Sequence, residues 1–395
     1  MSPRREPYQL EPEHYQVNKI YESGDPYLED LLSYIEKATI SVYVESYIFE
    51  LPEPGRRLLT LLEMKRQQGL DVKIMVDGVG SLRYLQELQS WSEGAWVPLR
   101  IYNPLPWRRR WRVLFFPLFV LNILWHTRTL NRRDHRKMVV IDNKIAFLGS
   151  INFSKVHFRT FSKEPWFDLA LRIEGNLVQS LSRAFLLEFE SEKPTPQVFW
   201  LELKSLFFPR REWFPLSHKL RLNSHFIMRY LFWRDLLFRI RKATKRVYIM
   251  NAYFVPHRTL ISSLIVAVKS GVEVVVLLPS KSDVPVVQWF APMVYPKLLR
   301  NGVQIREMQS QMIHTKSVIV DDWALVGSNN LNYRSLIQDL EVEAVVQEAN
   351  KFAELLAIWR AKVSDSRNIN LSEVESLAWW RWLRYRLVLL IRYFV

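Results

Sequence analysis

His135-Arg-Lys137-Met-Val-Val-Ile-Asp142, with Gly149-Ser150-Ile-Asn152 behind it, returns later in the chain as His314-Thr-Lys316-Ser-Val-Ile-Val-Asp321, followed by Gly327-Ser328-Asn-Asn330. One such octapeptide carries little information. Two with the same internal spacing and matched tails mark a duplicated unit, and a duplication fixes the architecture before weaker signals are weighed. The repeat extends outward. Ile35-Glu-Lys37-Ala38-Thr39-Ile-Ser-Val42-Tyr43 matches Ile240-Arg-Lys242-Ala243-Thr244-Lys-Arg-Val247-Tyr248. Beyond each, a helical segment ends at a glycine, Gly69 or Gly271, and enters a run of strand-forming residues, Leu70 to Val76 or Val272 to Leu278. A glycine closing a helix ahead of such a run is the αβ junction of a layered domain. Each half reads strand, helix, strand, then motif hairpin, so the expected fold is α/β with two homologous lobes.

The lobes are expected over 15–185, with an apolar basic insertion at 105–130, and over 226–365. An aromatic, basic connector at 186–225 joins them, and an amphipathic basic tail occupies 366–395. At 395 residues the chain is long enough for two cores. A hydrophobic share of 49% excludes wholesale disorder. The chain has no cysteine, which excludes disulfides, thiolate zinc sites and cysteine nucleophiles.

Lysine and arginine number 55 against 40 acidic residues, a net charge of +15. Such a balance calls for a polyanionic partner, either nucleic acid or an anionic membrane. The 15 tryptophans help to choose. Many sit beside arginine in apolar runs, as in Trp107-Arg-Arg-Arg-Trp111 and Trp379-Trp380-Arg-Trp382. Rings beside basic groups suit stacked single-stranded bases, but they suit the headgroup zone of a bilayer better. Nucleic acid is the less favoured partner. The N-terminal stretch has no apolar run of the signal-peptide kind. The longest apolar runs, Val113 to Trp125 and Leu387 to Val395, fall short of the roughly 20 residues of a spanning helix. A peripheral position on the inner membrane, on its cytoplasmic side, is expected.

On a strand, His and Lys two residues apart share one face while the residue between them points into the fold. An imidazole and an ammonium then converge on one anion. Asp142 and Asp321 lie at the opposite parity and begin a turn, so they read as scaffold. The Gly149-Ser150 and Gly327-Ser328 loops can offer backbone N–H groups and a hydroxyl to phosphate oxygens. A cationic neighbour beside each histidine disfavours a bound metal ion, and neither metal nor cofactor is expected. What remains is phosphoryl transfer. One histidine attacks phosphorus, the lysines neutralise the oxygens, and the second histidine protonates the leaving oxygen, giving a covalent phosphohistidine. A nucleophilic imidazole needs its far nitrogen held by an acceptor. Asp168 and Glu341, each downstream of a motif at the start of a strand-like run, are the candidates, each read with the motif it follows.

The doubled motif with its Gly-Ser-x-Asn tail resembles the phospholipase D superfamily over nearly the whole chain. Glu45-Ser-Tyr-Ile-Phe, Asp77-Gly-Val-Gly-Ser and Asn330-Leu-Asn-Tyr-Arg-Ser resemble, more narrowly, bacterial cardiolipin synthases without N-terminal transmembrane helices. The resemblance implies lobes built on mixed β-sheets flanked by helices, a pseudo-two-fold between them, and an active site at their interface. It implies ping-pong transphosphatidylation, with His135, Lys137, Ser150, Asn152, His314, Lys316, Ser328 and Asn330 lining the cleft. Asp168 and Glu341 fall where the family places the carboxylates that orient its histidines. By the same carry-over His135 is the nucleophile and His314 the acid, then the base; Glu45, which with Asn251 begins matched segments, is read as a headgroup contact, with a strand-end carboxylate as the alternative. The family usually has Asp where Asn332 stands and Asn where Asp339 stands, departures that bear on headgroup fit.

Arginines and tryptophans flank an apolar run just upstream of His135, so Trp107, Trp111, Phe115, Phe116 and Trp125 are expected to dip into a membrane, as are Trp379, Trp380 and Trp382 in the tail. The expected reaction is cardiolipin synthesis from two phosphatidylglycerols with release of glycerol. A phospholipase D hydrolase, a phosphatidylserine synthase-like enzyme and a phospholipase D-family nuclease or phosphodiesterase are the alternatives.

Overall fold

The computed structural model describes residues 14–51, 53–105, 132–191, 219–223, 226–284 and 293–375. Two mixed sheets carry the chain. The first has seven strands, in spatial order β1 (Gln16–Tyr21), β7 (Ala170–Glu174), β6 (Ile145–Gly149), β5 (Met138–Ile141), β2 (Ser41–Ser46), β3 (Asp71–Asp77) and β4 (Leu99–Tyr102). The second repeats that order as β8 (Leu220–Leu222), β14 (Val342–Val346), β13 (Trp323–Gly327), β12 (Lys316–Val320), β9 (Arg246–Asn251), β10 (Glu273–Pro279) and β11 (Gln304–Met308), and adds β15 (Ser366–Asn368) on the outer edge. In each sheet the helix-connected strands run parallel and the motif hairpin joins them antiparallel. Two homologous lobes with mixed sheets are thus what the chain forms.

The second sheet reaches further on both sides than the sequence boundaries suggested. β8 lies within the stretch read as connector and β15 within the stretch read as tail. Three-residue edge strands are too short to carry a periodic signal, so only their partners reveal them. The helix Val178–Glu190 likewise continues past residue 185.

Both αβ junctions form at the two glycines. The helix Gly55–Gln67 closes at Gly69 with φ +91°, and Arg258–Lys269 closes at Gly271 with φ +83°, in the left-handed region where a side chain is strained. The helix Gly24–Glu36 buries Tyr27, Leu28, Leu31, Leu32 and Ile35, one face at helical spacing, against the outer side of the first sheet. The inner sides of the two sheets share a single core. Met138, Val140, Leu148 and Leu171 from one lobe join Ile319, Val326, Val342 and Ala344 from the other, closed by the helices Val178–Glu190 and Ala349–Ser364. This common core makes the interface between lobes a fixed part of the fold.

The motif aspartates hold the hairpins. Asp142 (φ +51°) accepts backbone N–H groups from Thr39, Ile40 and Ser41 at 3.0, 2.8 and 2.9 Å. Asp321 (φ +52°) does the same for Thr244, Lys245 and Arg246 at 2.9, 2.7 and 3.1 Å. Each locks its hairpin turn to the start of the neighbouring central strand, which fixes the register of the histidine at the other end. Asp142→Ala removes the acceptor of three charge-assisted hydrogen bonds and puts a poorer residue at positive φ, so an expected loss of about 2 kcal/mol follows. Urea denaturation should show it, while kcat below the unfolding transition stays within a few-fold of wild type. A loss of activity in a fully folded Asp142→Ala protein would place the aspartate in the chemistry instead.

Candidate active site

The motif histidines stand just ahead of β5 and β12, where the two lobes meet. Each segment is drawn across the interface by a short parallel bridge, Asp134 with Leu340 and Phe167 with Ile313. The His135 N–H donates to the Leu340 carbonyl at 3.0 Å, and the His314 N–H donates to the Phe167 carbonyl at 2.8 Å. Those bridges end one residue short of Glu341 and Asp168. Each carboxylate is thereby delivered to the histidine of the opposite lobe.

His135 Nδ1 lies 3.0 and 3.1 Å from the two Glu341 carboxylate oxygens, and His314 Nδ1 lies 2.8 Å from Asp168 Oδ1. This corrects the reading that paired each acid with the motif it follows: the pairs are crossed. An ionised carboxylate only accepts, so each ring carries its proton on Nδ1 and leaves the Nε2 lone pair for chemistry. Lys316 Nζ donates to His314 Nε2 at 2.8 Å, which agrees with that tautomer, and also to the His314 carbonyl. Lys137 Nζ donates to the His135 carbonyl at 2.6 Å. Tyr47 and Tyr253 flank the two halves alike, their rings 4.9 Å from His135 and 6.1 Å from His314.

All four motif cations and imidazoles are buried. Burial, reinforced by Lys137 and Lys316, holds His135 well below the ordinary histidine range, and burial with Lys316 does the same to His314. Burial pushes Lys137 down to about 8 and Lys316 down to about 7. It pushes Glu341 up to about 7, against the pull of Lys137. Burial also raises Asp168, but two imidazoles outweigh it and keep that carboxyl well below its usual range. Two neutral imidazoles and two easily discharged ammonium groups, all buried, make a site suited to an anion.

The other sequence candidates divide. Asn330 is buried, and its Oδ1 has no hydrogen-bond partner among the described residues. Asn152 Oδ1 accepts from the Ile48 N–H at 3.2 Å. The two serines face inward and not toward a phosphate. Ser150 Oγ donates to the Leu169 carbonyl at 3.1 Å, while Ser328 Oγ donates to Glu341 and accepts the Val342 N–H at 3.0 Å. Their hydroxyls brace the strands that carry the acids. Glu45 does not join the site either. It is 1% exposed and pairs at 2.6 Å with Arg136, the inward-pointing residue between His135 and Lys137. A carboxylate spent on a buried guanidinium is scaffold, which corrects its reading as a headgroup contact. Asn332 caps the helix Tyr333–Ile337 through Ser335, and Asp339 pairs with Arg334 at 3.0 Å, so the two family departures are both structural in this chain. The aromatic residues Trp107, Trp111, Phe115, Phe116, Trp125, Trp379, Trp380 and Trp382 lie outside the described residues.

Sequence reasoning missed His157. It donates Nδ1–H to Asp168 Oδ2 at 2.6 Å, and its ring lies 5.0 Å from that of His314. Ser335 was missed too; its hydroxyl donates to Glu341 Oε1 at 2.7 Å. His157, Asp168 and His314 bring three potential metal ligands within 4.8 Å of one another. Both Asp168 oxygens, however, already accept imidazole N–H groups, and the Lys316 ammonium sits at His314 Nε2. That arrangement serves a proton network and repels a cation.

A sequence family described as "Cardiolipin synthase, PLD-like domain" matches residues 31–185 and 236–361. Curated relatives include cardiolipin synthase B of Salmonella typhimurium, 29% identical over 92% of this chain and 84% of that protein. Cardiolipin synthase 1 of Staphylococcus aureus is also 29% identical, over 90% of this chain and 69% of that one. Among solved structures, phosphatidylserine synthase from Haemophilus influenzae superposes with a TM-score of 0.66 at 14% identity, covering 97% of this chain and 98% of that one. Polyphosphate kinase from Porphyromonas gingivalis superposes at 0.60 and 13% identity, over 90% of this chain and 49% of that one. At such identities the two superpositions speak for the fold alone.

Proposed function

This chain belongs to the cardiolipin synthase, PLD-like domain family, and on that footing we propose that it is a phospholipid phosphatidyltransferase working through a phosphohistidine. The observation that carries the proposal is the crossed pairing, which leaves two Nε2 atoms and two buried ammonium groups in one cleft. His135 Nε2 attacks phosphorus, and the bond from phosphorus to the leaving glycerol oxygen breaks. That oxygen takes its proton from His314. Arrival of the anionic phosphodiester favours the charged imidazole, so His314 takes up a proton from solvent on Nε2 as the substrate binds, while Lys316 keeps its own. Lys137 and Lys316 neutralise the non-bridging oxygens as charge grows. In the second half, His314 removes a proton from an acceptor hydroxyl, which attacks phosphorus and frees His135.

Phosphatidylglycerol is the proposed donor and also the proposed acceptor, which makes the products cardiolipin and glycerol. The names of the relatives at 29% identity support that choice. Peripheral attachment to an anionic bilayer goes with it, supported by the +15 net charge. Among the described residues no helix is long and apolar enough to cross a membrane.

The test is purified protein on phosphatidylglycerol vesicles, with lipids read by mass spectrometry. Cardiolipin with an equal yield of glycerol is expected. Phosphatidic acid alone would make the enzyme a hydrolase. Intact lipid together with cleaved single-stranded DNA would overturn the lipid reading in favour of a phosphodiesterase.

A further inference from the structure

Aligning the two motif tails places His157 and Ser335 at equivalent positions, the same distance beyond Asn152 and Asn330. Both touch the carboxylate that orients a histidine, yet they differ in length and in chemical type. In one half a long side chain, His157, meets a short acid, Asp168; in the other a short side chain, Ser335, meets a long acid, Glu341. The exchange is reciprocal, so each acid is gripped at a comparable span while only one grip is titratable.

We propose that His157 is the positioning residue for His314 and the device that makes the two catalytic histidines inequivalent. The wire can be followed atom by atom. The Ile48 N–H donates to Asn152 Oδ1, and Asn152 Nδ2 lies 3.4 Å from His157 Nε2. His157 Nδ1–H donates to one Asp168 oxygen and His314 Nδ1–H to the other. Asp168 therefore divides its negative charge between two rings. Glu341 receives one ring and two neutral hydroxyls, from Ser328 and Ser335. A divided carboxylate supports the charged form of His314 less strongly, which makes that imidazole the better proton donor. Glu341, held by a single ring, has no second imidazole competing for its charge. Among the described residues, the groups that face the wire besides Asp168 and His314 include Trp166, packed 5.3 Å from His157 and 5.2 Å from His314, the ammonium of Lys316, the ammonium of Lys137, which feels the Asp168 charge, and Tyr253, whose hydroxyl donates to Asp283 at 2.8 Å. Among the described residues, the sharing of Asp168 between two rings has no counterpart at Glu341.

This inference rests on the proposed roles of His135 and His314, and its test has a readout independent of turnover. In His157→Ser the Asp168 carboxylate is left to His314 alone. The ring of His314, followed by NMR titration of the folded protein, should then titrate about one unit higher than in wild type. The basic limb of kcat/KM for the donor, for which His314 must be protonated, should move up with it. His157→Asn, which keeps an N–H donor toward Asp168, is expected to move in the same direction by less. The double variant His157→Ser/Asp168→Glu rebuilds the grip of the second lobe and should recover at least tenfold of the activity lost by Asp168→Glu alone. An unmoved His314 titration in both single variants, or a double variant no better than Asp168→Glu, would overturn the inference. If wild type titrates as described yet makes no cardiolipin, it is the proposed reaction that fails and not the role of His157.

Discussion

His135→Ala should abolish phosphatidyl transfer whatever the leaving group, whereas His314→Ala should lose the first half-reaction only when the leaving group is poor. Removing a nucleophile leaves no covalent route, and a fall in kcat/KM on the order of 10⁴-fold or more is expected. Removing the general acid costs about 10²–10⁴-fold with glycerol as leaving group. A phosphatidyl ester of p-nitrophenol needs no proton in the departure step, so His314→Ala should release nitrophenol in a burst and then stop. The stop follows because the same residue must activate the acceptor, and a phosphohistidine on His135 should accumulate and be seen by intact-protein mass spectrometry. The crossed carboxylates extend the experiment. Glu341→Gln can still accept but no longer carries charge at 3.0 Å from His135 Nδ1, so it should slow the burst itself. Asp168→Asn should spare the burst and slow the turnover that follows, because Asp168 acts on His314. An adduct on His314 in the His135→Ala protein would reverse both assignments.

What could be read in the sequence was what is repeated or local. The two lobes, the hairpins and both glycine helix ends follow from short windows in which spacing and residue type agree, and Asp142 and Asp321 are scaffold by strand parity. The crossing of the acids was invisible for a physical reason. Asp168 and His314 are 146 positions apart, and Glu341 and His135 are 206 apart. Their meeting depends on two isolated bridges, Asp134 with Leu340 and Phe167 with Ile313, that no periodicity announces. His157 was within reach of the sequence, since aligning the tails from Asn152 and Asn330 sets it opposite Ser335. The serines mislead for the converse reason. A Gly-Ser loop at a strand end has the composition of a phosphate cradle, but whether Ser328 Oγ faces a ligand or Glu341 depends on a rotamer that tertiary packing selects.

Anion affinity should weaken as pH rises through the range in which the two buried lysines discharge. In the free protein burial holds Lys316 at about 7 and Lys137 at about 8. A bound divalent anion restores both charges, so binding above those values takes up protons. The affinity for sulfate, whose own charge is fixed, should be flat below about pH 6.5 and fall by up to tenfold per pH unit for each lysine that has lost its proton. The stability of the ligand-free protein must carry the opposite sign. Unfolded lysines keep their protons to about 10.4, so between about pH 7 and pH 10 the unfolded chain binds more protons than the folded one, and these two groups make the folded state gain stability as pH rises. Sulfate should therefore raise Tm most near pH 6.5 and hardly at all near pH 10. Lys316→Met should remove one proton from the binding slope and, because the ammonium also faces His314 Nε2, cost about 10²–10³-fold in kcat. Glu341, pushed up to about 7, sets the acid side, since its protonation withdraws the acceptor that holds His135. The rate should then pass through a maximum between the two limbs. Bound phosphodiester, by keeping the lysines charged, should carry the basic limb of kcat above that of kcat/KM. A sulfate affinity that stays level from about pH 6 to about pH 9 would mean that both lysines remain charged in the empty cleft, and that the neutral histidines beside them owe their state to permanent cations.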